Sequence, residues 1–356
     1  MIYVGENIQK IQAGGDIVNL RNIKILKKIY NSKFNIIHIS CKSTIQTFIN
    51  LLLGCMNGLT PLIIFRIIYN IKKHKEDNIF LTSSKLGLLA YCIKKLIPET
   101  NIWVFFHNIE KQYTAEEYRV NRTLKNWFIS KISSFNEKLS CKYGDILIVL
   151  NNRDKNLLNQ YYKKEANIIL PISFEDKYSV EIHETTPKEK KNFNLLFVGS
   201  AFYANIEALN WFINKILPKL SNCILTIVGS GMDRYYNSSD KVKVYGYVED
   251  ISIYYYKCDL VISPILSGGG MKTKTAEALM YGCPIIGTNE AFEGYDIEIS
   301  KIGACCNCEY EIIKAINFFQ NDHNALKICA SNARHFFQKS YTIESSLNII
   351  RNFLGK

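Results

Sequence analysis

No stretch of eighteen uncharged apolar residues occurs in the chain, so no segment reads as a membrane-spanning helix. The opening residues MIYVGENIQK lack a signal-peptide pattern, and a cytoplasmic location is expected. There is no Asp-x-Asp, and no His, Asp or Glu cluster has ligand spacing, so no metal and no cofactor are expected. Eleven cysteines, an odd number, are scattered and imply reduced thiols rather than a disulfide framework. Cys305, Cys306 and Cys308 form the one cluster; no nearby histidine or paired CxxC completes a zinc site, and they read as structural thiols. Internal repeats and basic-aromatic nucleic-acid motifs are also missing. The net charge of +12 leaves nucleic acid, an anionic membrane face or phosphorylated ligands as partners. The lysines read as evenly spread among much Asn and Ile, which looks like compositional bias, and nucleic acid is not expected.

What is present fits an enzyme. A chain of 356 residues suggests two domains, and 47% hydrophobic with 21% charged residues is ordinary for globular protein. The densest information lies between Cys258 and Thr288, CDLVISPILSGGGMKTKTAEALMYGCPIIGT. Leu260, Val261 and Ile262 read as a strand of a parallel sheet, ended by Pro264. Gly268, Gly269 and Gly270 follow, where missing Cβ atoms let backbone N–H groups approach an anion. A helix from Lys272 to Tyr281 comes next, with Thr275, Ala276 and Leu279 facing inward and Gly282 and Pro284 as its stop. Its N-terminus suits a diphosphate. Two lysines near a helix start oppose the dipole, and a bound polyanion would account for Lys272 and Lys274. Glu277, one turn on, is placed to accept both hydroxyls of a ribose. A solvated Lys274–Glu277 pair beside a flexible loop is the plainer alternative.

These residues resemble the donor-site segment of the family 4 retaining glycosyltransferases. FNLLFVGSAFYANIEALNWFINKILPKL, ILTIVGSGM and VKVYGYVEDISIYYYKCDLVISP upstream, and TNEAFEG downstream, are similar to neighbouring parts of the same domain. The resemblance implies an α/β chain of the GT-B fold, two Rossmann-like doubly wound domains facing a central cleft. Residues 1–174 would form the acceptor-side domain, 175–192 a linker, 193–340 the nucleotide-sugar domain and 341–356 a C-terminal helix returning to the first domain. It implies a metal-independent hexosyltransferase that takes a nucleotide-sugar as co-substrate and a glycan or lipid-linked glycan as acceptor, in bacterial surface polysaccharide or glycoconjugate synthesis. Donor contacts would come from Gly199, Gly269, Gly270, Lys272, Lys274, Glu277 and Glu293, with Lys274 also catalytic. Two features depart from the family. Gly269 stands where many members carry a first glutamate, and SAFYANIEAL after Gly199 has no basic residue.

The first half alternates strands and helices, with strands expected at Met1–Val4, Asn35–Ile39, Ile79–Leu81, Ile102–Phe106 and Ile146–Leu150. AGGD at Ala13–Asp16 reads as a glycine turn, followed by a helix with Ile17, Leu20, Ile23, Leu26, Lys27 and Tyr30 near helical spacing. His107, at the end of IWVFF, occupies the carboxyl end of a strand and resembles the family's acceptor-facing histidine. The resemblance makes it catalytic, beside Gly15, Asp16 and Glu110 on the acceptor side; a loop-capping histidine and solvated carboxylates are the alternatives. Ile45–Lys75 reads as helical core with a basic end, broken at Gly54, Gly58 and Pro61. Its composition also suggests weak association with an anionic membrane. A nucleotide-sugar 2-epimerase and a non-catalytic nucleotide-sugar-binding module remain alternatives to transfer.

Overall fold

The computed structural model describes residues 1–8, 14–40, 44–186 and 192–355. They form two compact units. One comprises the described residues of Met1–Ile11, Gly15–Pro171 and Leu347–Lys356, and the other is built mainly on Ile172–Ser346.

The strands of the first unit are β1 (Ile2–Glu6), β2 (Asn35–Ile39), β3 (Asn78–Leu81), β4 (Asn101–Phe106), β5 (Ile146–Val149) and β6 (Ile168–Ile169). All pair in parallel, in the order β2-β1-β3-β4-β5-β6. Its helices are α1 (Gly14–Tyr30), α2 (Thr44–Leu52), α3 (Pro61–His74), α4 (Gly87–Leu96), α5 (Glu110–Val120), α6 (Leu124–Tyr143) and α7 (Asn152–Tyr162). Central strands are apolar throughout because helices cover both faces, as a parallel sheet requires; all of Ile102–Phe106 is fully buried. The strand order reverses between β1 and β3, and there the carboxyl ends of the strands open a crevice.

Three expectations change in this unit. Gly14 and Gly15 already belong to α1, while Ala13 lies outside the described residues. The buried face of α1 is Val18, Arg21, Asn22, Ile25 and Leu26, which shares only Leu26 with the residues at helical spacing. Arg21 is drawn inward because its Nη1 donates to the Pro171 carbonyl at 2.9 Å and its guanidinium lies 5.7 Å from the Phe105 ring. The 45–75 stretch is two helices, and it is only half core. Ile64, Ile67, Ile68 and Ile71 are buried, whereas Phe48, Ile49, Leu52, Leu62, Phe65 and Tyr69 are exposed.

The second unit contains β7 (Phe193–Val198), β8 (Cys223–Val228), β9 (Val242–Tyr245), β10 (Leu260–Ser263), β11 (Ile285–Gly287) and β12 (Gly303–Cys305). Its helices are α8 (Val180–Thr185), α9 (Tyr203–Trp211), α10 (Ser252–Lys257), α11 (Thr273–Met280), α12 (Glu309–Asn321), α13 (His323–Ser340) and the first residues of α14 (Ile343–Phe353). Its sheet is parallel in the order β12-β11-β10-β7-β8-β9, with the switch between β7 and β10. That is the dinucleotide-binding strand order, and both glycine turns singled out from the sequence fall at the switch.

The segment read as a linker is folded against this unit over the described residues 175–186. Arg334 clamps Asp176 through both terminal nitrogens at 3.0 and 2.8 Å and lies 4.4 Å from the Tyr178 ring. Ser179 caps α8, and its N–H donates to the Tyr256 hydroxyl at 2.8 Å.

Candidate functional site

At the switch point of the second unit, β7 ends at Val198 and the chain turns at Gly199, while β10 ends at Ser263 and leads through the triple glycine to α11. Gly268 and Gly270 adopt φ of 138° and 59°, a region that a side chain would strain. Lys272 is the N-cap of α11 rather than part of its first turn, and Lys274 follows inside it. The Tyr295 hydroxyl accepts from the Ala276 N–H at 3.0 Å and donates to the Lys272 carbonyl at 2.5 Å, fixing the helix start.

Lys274 and Glu277 are both buried, at 6% and 7% exposure, which removes the solvated-pair alternative. Each has its own partner. Lys274 Nζ donates to Asn205 Oδ1 at 2.7 Å and sits 3.9 Å above the Phe197 ring. Asn205 presents its oxygen because its Nδ2 is held by the Ser200 carbonyl at 2.8 Å. Gly199 completes this corner, since a Cβ there would stand 3.1 Å from Lys274 Nζ and 2.8 Å from Asn205 Nδ2. Burial, reinforced by Lys272, lowers the Lys274 pKa to about 7. Glu277 accepts from the Tyr255 hydroxyl at 3.1 Å. Burial raises its pKa to about 7 against the opposing pull of Tyr255 and Lys274.

Lys272 is held differently. Its Nζ pairs with Glu290 at 2.6 Å and donates to the Gly269 and Gly270 carbonyls at 3.3 Å each. Glu293, the carboxylate singled out from the sequence, is half-buried at the end of a short 3-10 turn, and it is Glu290 that meets the lysine.

In the first unit, His107 leaves β4 beside the β1–β3 switch. Its Nε2 lies 3.0 Å from Asn19 Oδ1, and its ring meets Phe105 edge-on at 4.9 Å. Burial, with Arg21 and Lys85 nearby, pushes its pKa down to about 4, so the imidazole is neutral at pH 7. Asp16 lies in the first turn of α1, where the dipole favours a carboxylate. Gly15 is exposed beside it. Glu6, at the end of β1, has its pKa raised by burial and by Asp16 and lowered by Lys85. Glu110 is not the solvated carboxylate of the alternative reading: it begins α5, is 3% exposed, and pairs with Lys85 at 3.0 Å. The sequence reading missed Glu6, Asn19, Asn205, Tyr255 and Glu290. Only Glu6 carried a local signal, as a carboxylate at the carboxyl end of a first strand.

The fold is shared with known structures. HepE of Anabaena in complex with UDP-glucose superposes with a TM-score of 0.73 at 14% identity, over 99% of this chain and 98% of that one. Sucrose-phosphate synthase from Thermosynechococcus elongatus gives 0.77 at 14% identity, covering 99% and 98%. WaaG, a glycosyltransferase involved in lipopolysaccharide biosynthesis, gives 0.70 at 15% identity over 100% of both chains. Residues 192–304 match the family model of glycosyl transferases group 1. The chain has the GT-B fold of these structures. The chain is also 24% identical, over 76% of its own length and 72% of the relative's, to an uncharacterized 44.6 kDa protein in the cps region of Klebsiella pneumoniae.

Proposed function

We propose that the enzyme moves a sugar from a nucleotide-sugar to a glycan or lipid-linked glycan acceptor, with retention, in bacterial surface polysaccharide synthesis. The observation that carries the donor half is the convergence of Gly199, Asn205, Lys274 and the α11 N-terminus at the switch point of one sheet. A diphosphate placed there meets an ammonium whose present partner is a neutral amide oxygen. The lysine is therefore available without breaking an ion pair, whereas Lys272 must first release Glu290. As the sugar leaves, charge grows on the diphosphate, and contacts that strengthen with that charge accelerate the step. Gly269 and Gly270 offer backbone N–H groups, and Glu277, held by Tyr255, accepts the ribose hydroxyls. Glu293 belongs to the donor side in this reading. On the acceptor side, Gly15, Asp16, Glu110 and neutral His107 surround the entering hydroxyl. His107 acts there as a hydrogen-bonding group rather than a cation.

HepE was solved with UDP and UDP-glucose, which favours a uridine diphosphate donor. The cps-region location of the relative favours a role in surface polysaccharide synthesis. The reading places the enzyme in the cytoplasm, weakly associated with the membrane, and requires no metal. Calorimetric titration with UDP, GDP and their sugars tests it first; absence of binding to all of them would overturn the donor half. Proton NMR of the new linkage tests retention, and an inverted anomer would refute it.

Proton linkage gives a second check. With its pKa near 7 in the free protein, Lys274 is largely neutral at pH 8, and a diphosphate beside it raises that pKa. Binding at pH 8 is therefore expected to take up a proton, approaching one per site, and to take up fewer at pH 6, where Lys274 is already charged. Titration in buffers of different ionisation enthalpy measures this. Uptake that is unchanged in Lys274→Ala would assign the proton to another group.

A further inference from the structure

The first unit presents apolar helix faces outward. In α2, Phe48, Ile49 and Leu52 are 51–60% exposed while Asn50 is buried, the reverse of a helix that covers a core in water. In α3 the buried isoleucines form one stripe. Leu62, Phe65 and Tyr69, spaced by three and four residues, form a second stripe on the exposed side, at 79%, 71% and 53%. Leu53, just past α2, is also exposed, and Phe135 of α6 joins it: a Cβ on Gly54 would touch the Phe135 ring at 4.0 Å. The turn is pinned there, because Asn136 Nδ2 donates to the Gly54 carbonyl at 2.9 Å. Single exposed apolar residues are ordinary; such a concentration on two consecutive helices marks a binding surface.

Charge identifies what it binds. The fifty-nine residues from Ile17 to Lys75 contain ten Lys and Arg and no Asp or Glu. Over residues 1–171 there are 25 Lys and Arg against 12 Asp and Glu, a net +13, while residues 172–356 hold 19 against 20, a net −1. The net charge is thus concentrated in residues 1–171, where Lys and Arg are more frequent and Asp and Glu are fewer, and compositional bias alone does not account for it. Exposed Arg66 flanks the apolar stripe, exposed Lys72 and Lys73 continue α3 beyond it, and Lys73 Nζ reaches to 5.8 Å from the Tyr69 ring. A second copy docked on this face would bring two basic rims together, which like-charge repulsion opposes.

We propose that α2 and α3 seat this unit on an anionic lipid bilayer. The side chains of Phe48, Leu52, Leu62 and Phe65 enter the boundary between headgroups and acyl chains, and Arg66, Lys72, Lys73 and Lys75 meet lipid phosphates. The helices lie on the membrane rather than cross it: among the described residues no helix is long and apolar enough to span one. This surface stands independently of the donor-site reading.

The test is flotation of the full chain with vesicles of phosphatidylcholine alone or mixed with phosphatidylglycerol, at low and high salt. Wild type is expected to float with the mixed vesicles at low salt and to be released by high salt. Leu62→Ser with Phe65→Ser is expected to weaken binding about tenfold or more. Lys72→Ser with Lys73→Ser is expected to remove much of the salt-sensitive part. Both variants change exposed side chains, and unaltered thermal melting verifies their folding. Equal flotation of wild type and the Leu62/Phe65 variant would overturn the proposal, as would indifference to phosphatidylglycerol. So would a dimer, seen by sedimentation, that the same substitutions dissociate while vesicles are ignored.

Discussion

Lys274→Ala is expected to lower kcat/KM for the nucleotide-sugar by about ten- to a hundred-fold or more, measured as transfer or as donor hydrolysis. A charge-assisted hydrogen bond contributes about 1.5 to 3 kcal/mol, and each 1.36 kcal/mol is roughly a tenfold change in rate. The distinguishing feature is that stability should move the other way. The folded pKa of Lys274, about 7, lies below its ordinary 10.5, so the ligand-free fold disfavours the charged form. This destabilisation is fully present below pH 7 and is relieved as pH rises from 7 toward 10.5. Lys274→Met, which keeps the apolar stem over Phe197, should therefore raise Tm at pH 6, raise it less at pH 10, and lose activity at both. A fold that holds a strained, desolvated charge for its ligand gives up stability for function. Unchanged kinetics in a folded variant would place the diphosphate elsewhere. Loss of activity in step with a lowered Tm would make Lys274 a structural residue.

The cradle was legible in sequence because its elements are local and ordered. A short apolar run, three glycines and a helix with a Gly and Pro stop occupy one continuous segment, and strand, loop and helix fall where spacing put them. Its polar partners were not legible. Asn205, Tyr255 and Glu290 come from α9, α10 and the turn after β11, and only the sheet order brings them to Lys274, Glu277 and Lys272. Hydrophobic spacing picked out only Leu26 of the buried face of α1, because that face includes Arg21 and Asn22, polar residues that periodicity counts as outward. In α2 and α3 the same signal failed for another reason. Spacing shows that a face is apolar, but it does not say whether the chain itself covers that face. Gly269, where the resemblance leads to a glutamate being expected, offers Lys272 its backbone carbonyl instead of a carboxylate.

Glu137→Ala is expected to destabilise the first unit by about 3 kcal/mol at pH 5, and by less at pH 8. Glu137, on α6, is fully buried and gathers four donors from three elements. Its carboxylate accepts from the N–H groups of Glu110 and Lys111 at 2.6 and 3.1 Å, from the Tyr162 hydroxyl at 2.7 Å and from Ser84 at 3.3 Å. It thereby satisfies the start of α5, the helix that follows His107, where N–H groups have no partner within the helix. Alanine leaves those donors buried and unpaired, and at about 2–4 °C per kcal/mol for a unit of this size Tm should fall by roughly 6–12 °C. The pH dependence follows from its pKa. Burial raises the folded value to about 7 from 4.5. The folded state then binds more protons than the unfolded one between these values, and the stability contributed by the carboxyl is full below pH 4.5 and declines as pH rises to 7. Alanine has no such decline, so the gap between wild type and variant narrows toward pH 8. A gap that widened instead would mean that Glu137 is ionised in the fold at low pH, with the α5 N-terminus acting as its counter-charge. Because α5 begins three residues after His107, the same variant should also disturb acceptor-side chemistry while leaving UDP binding in the second unit intact, and calorimetry alongside turnover would separate the two.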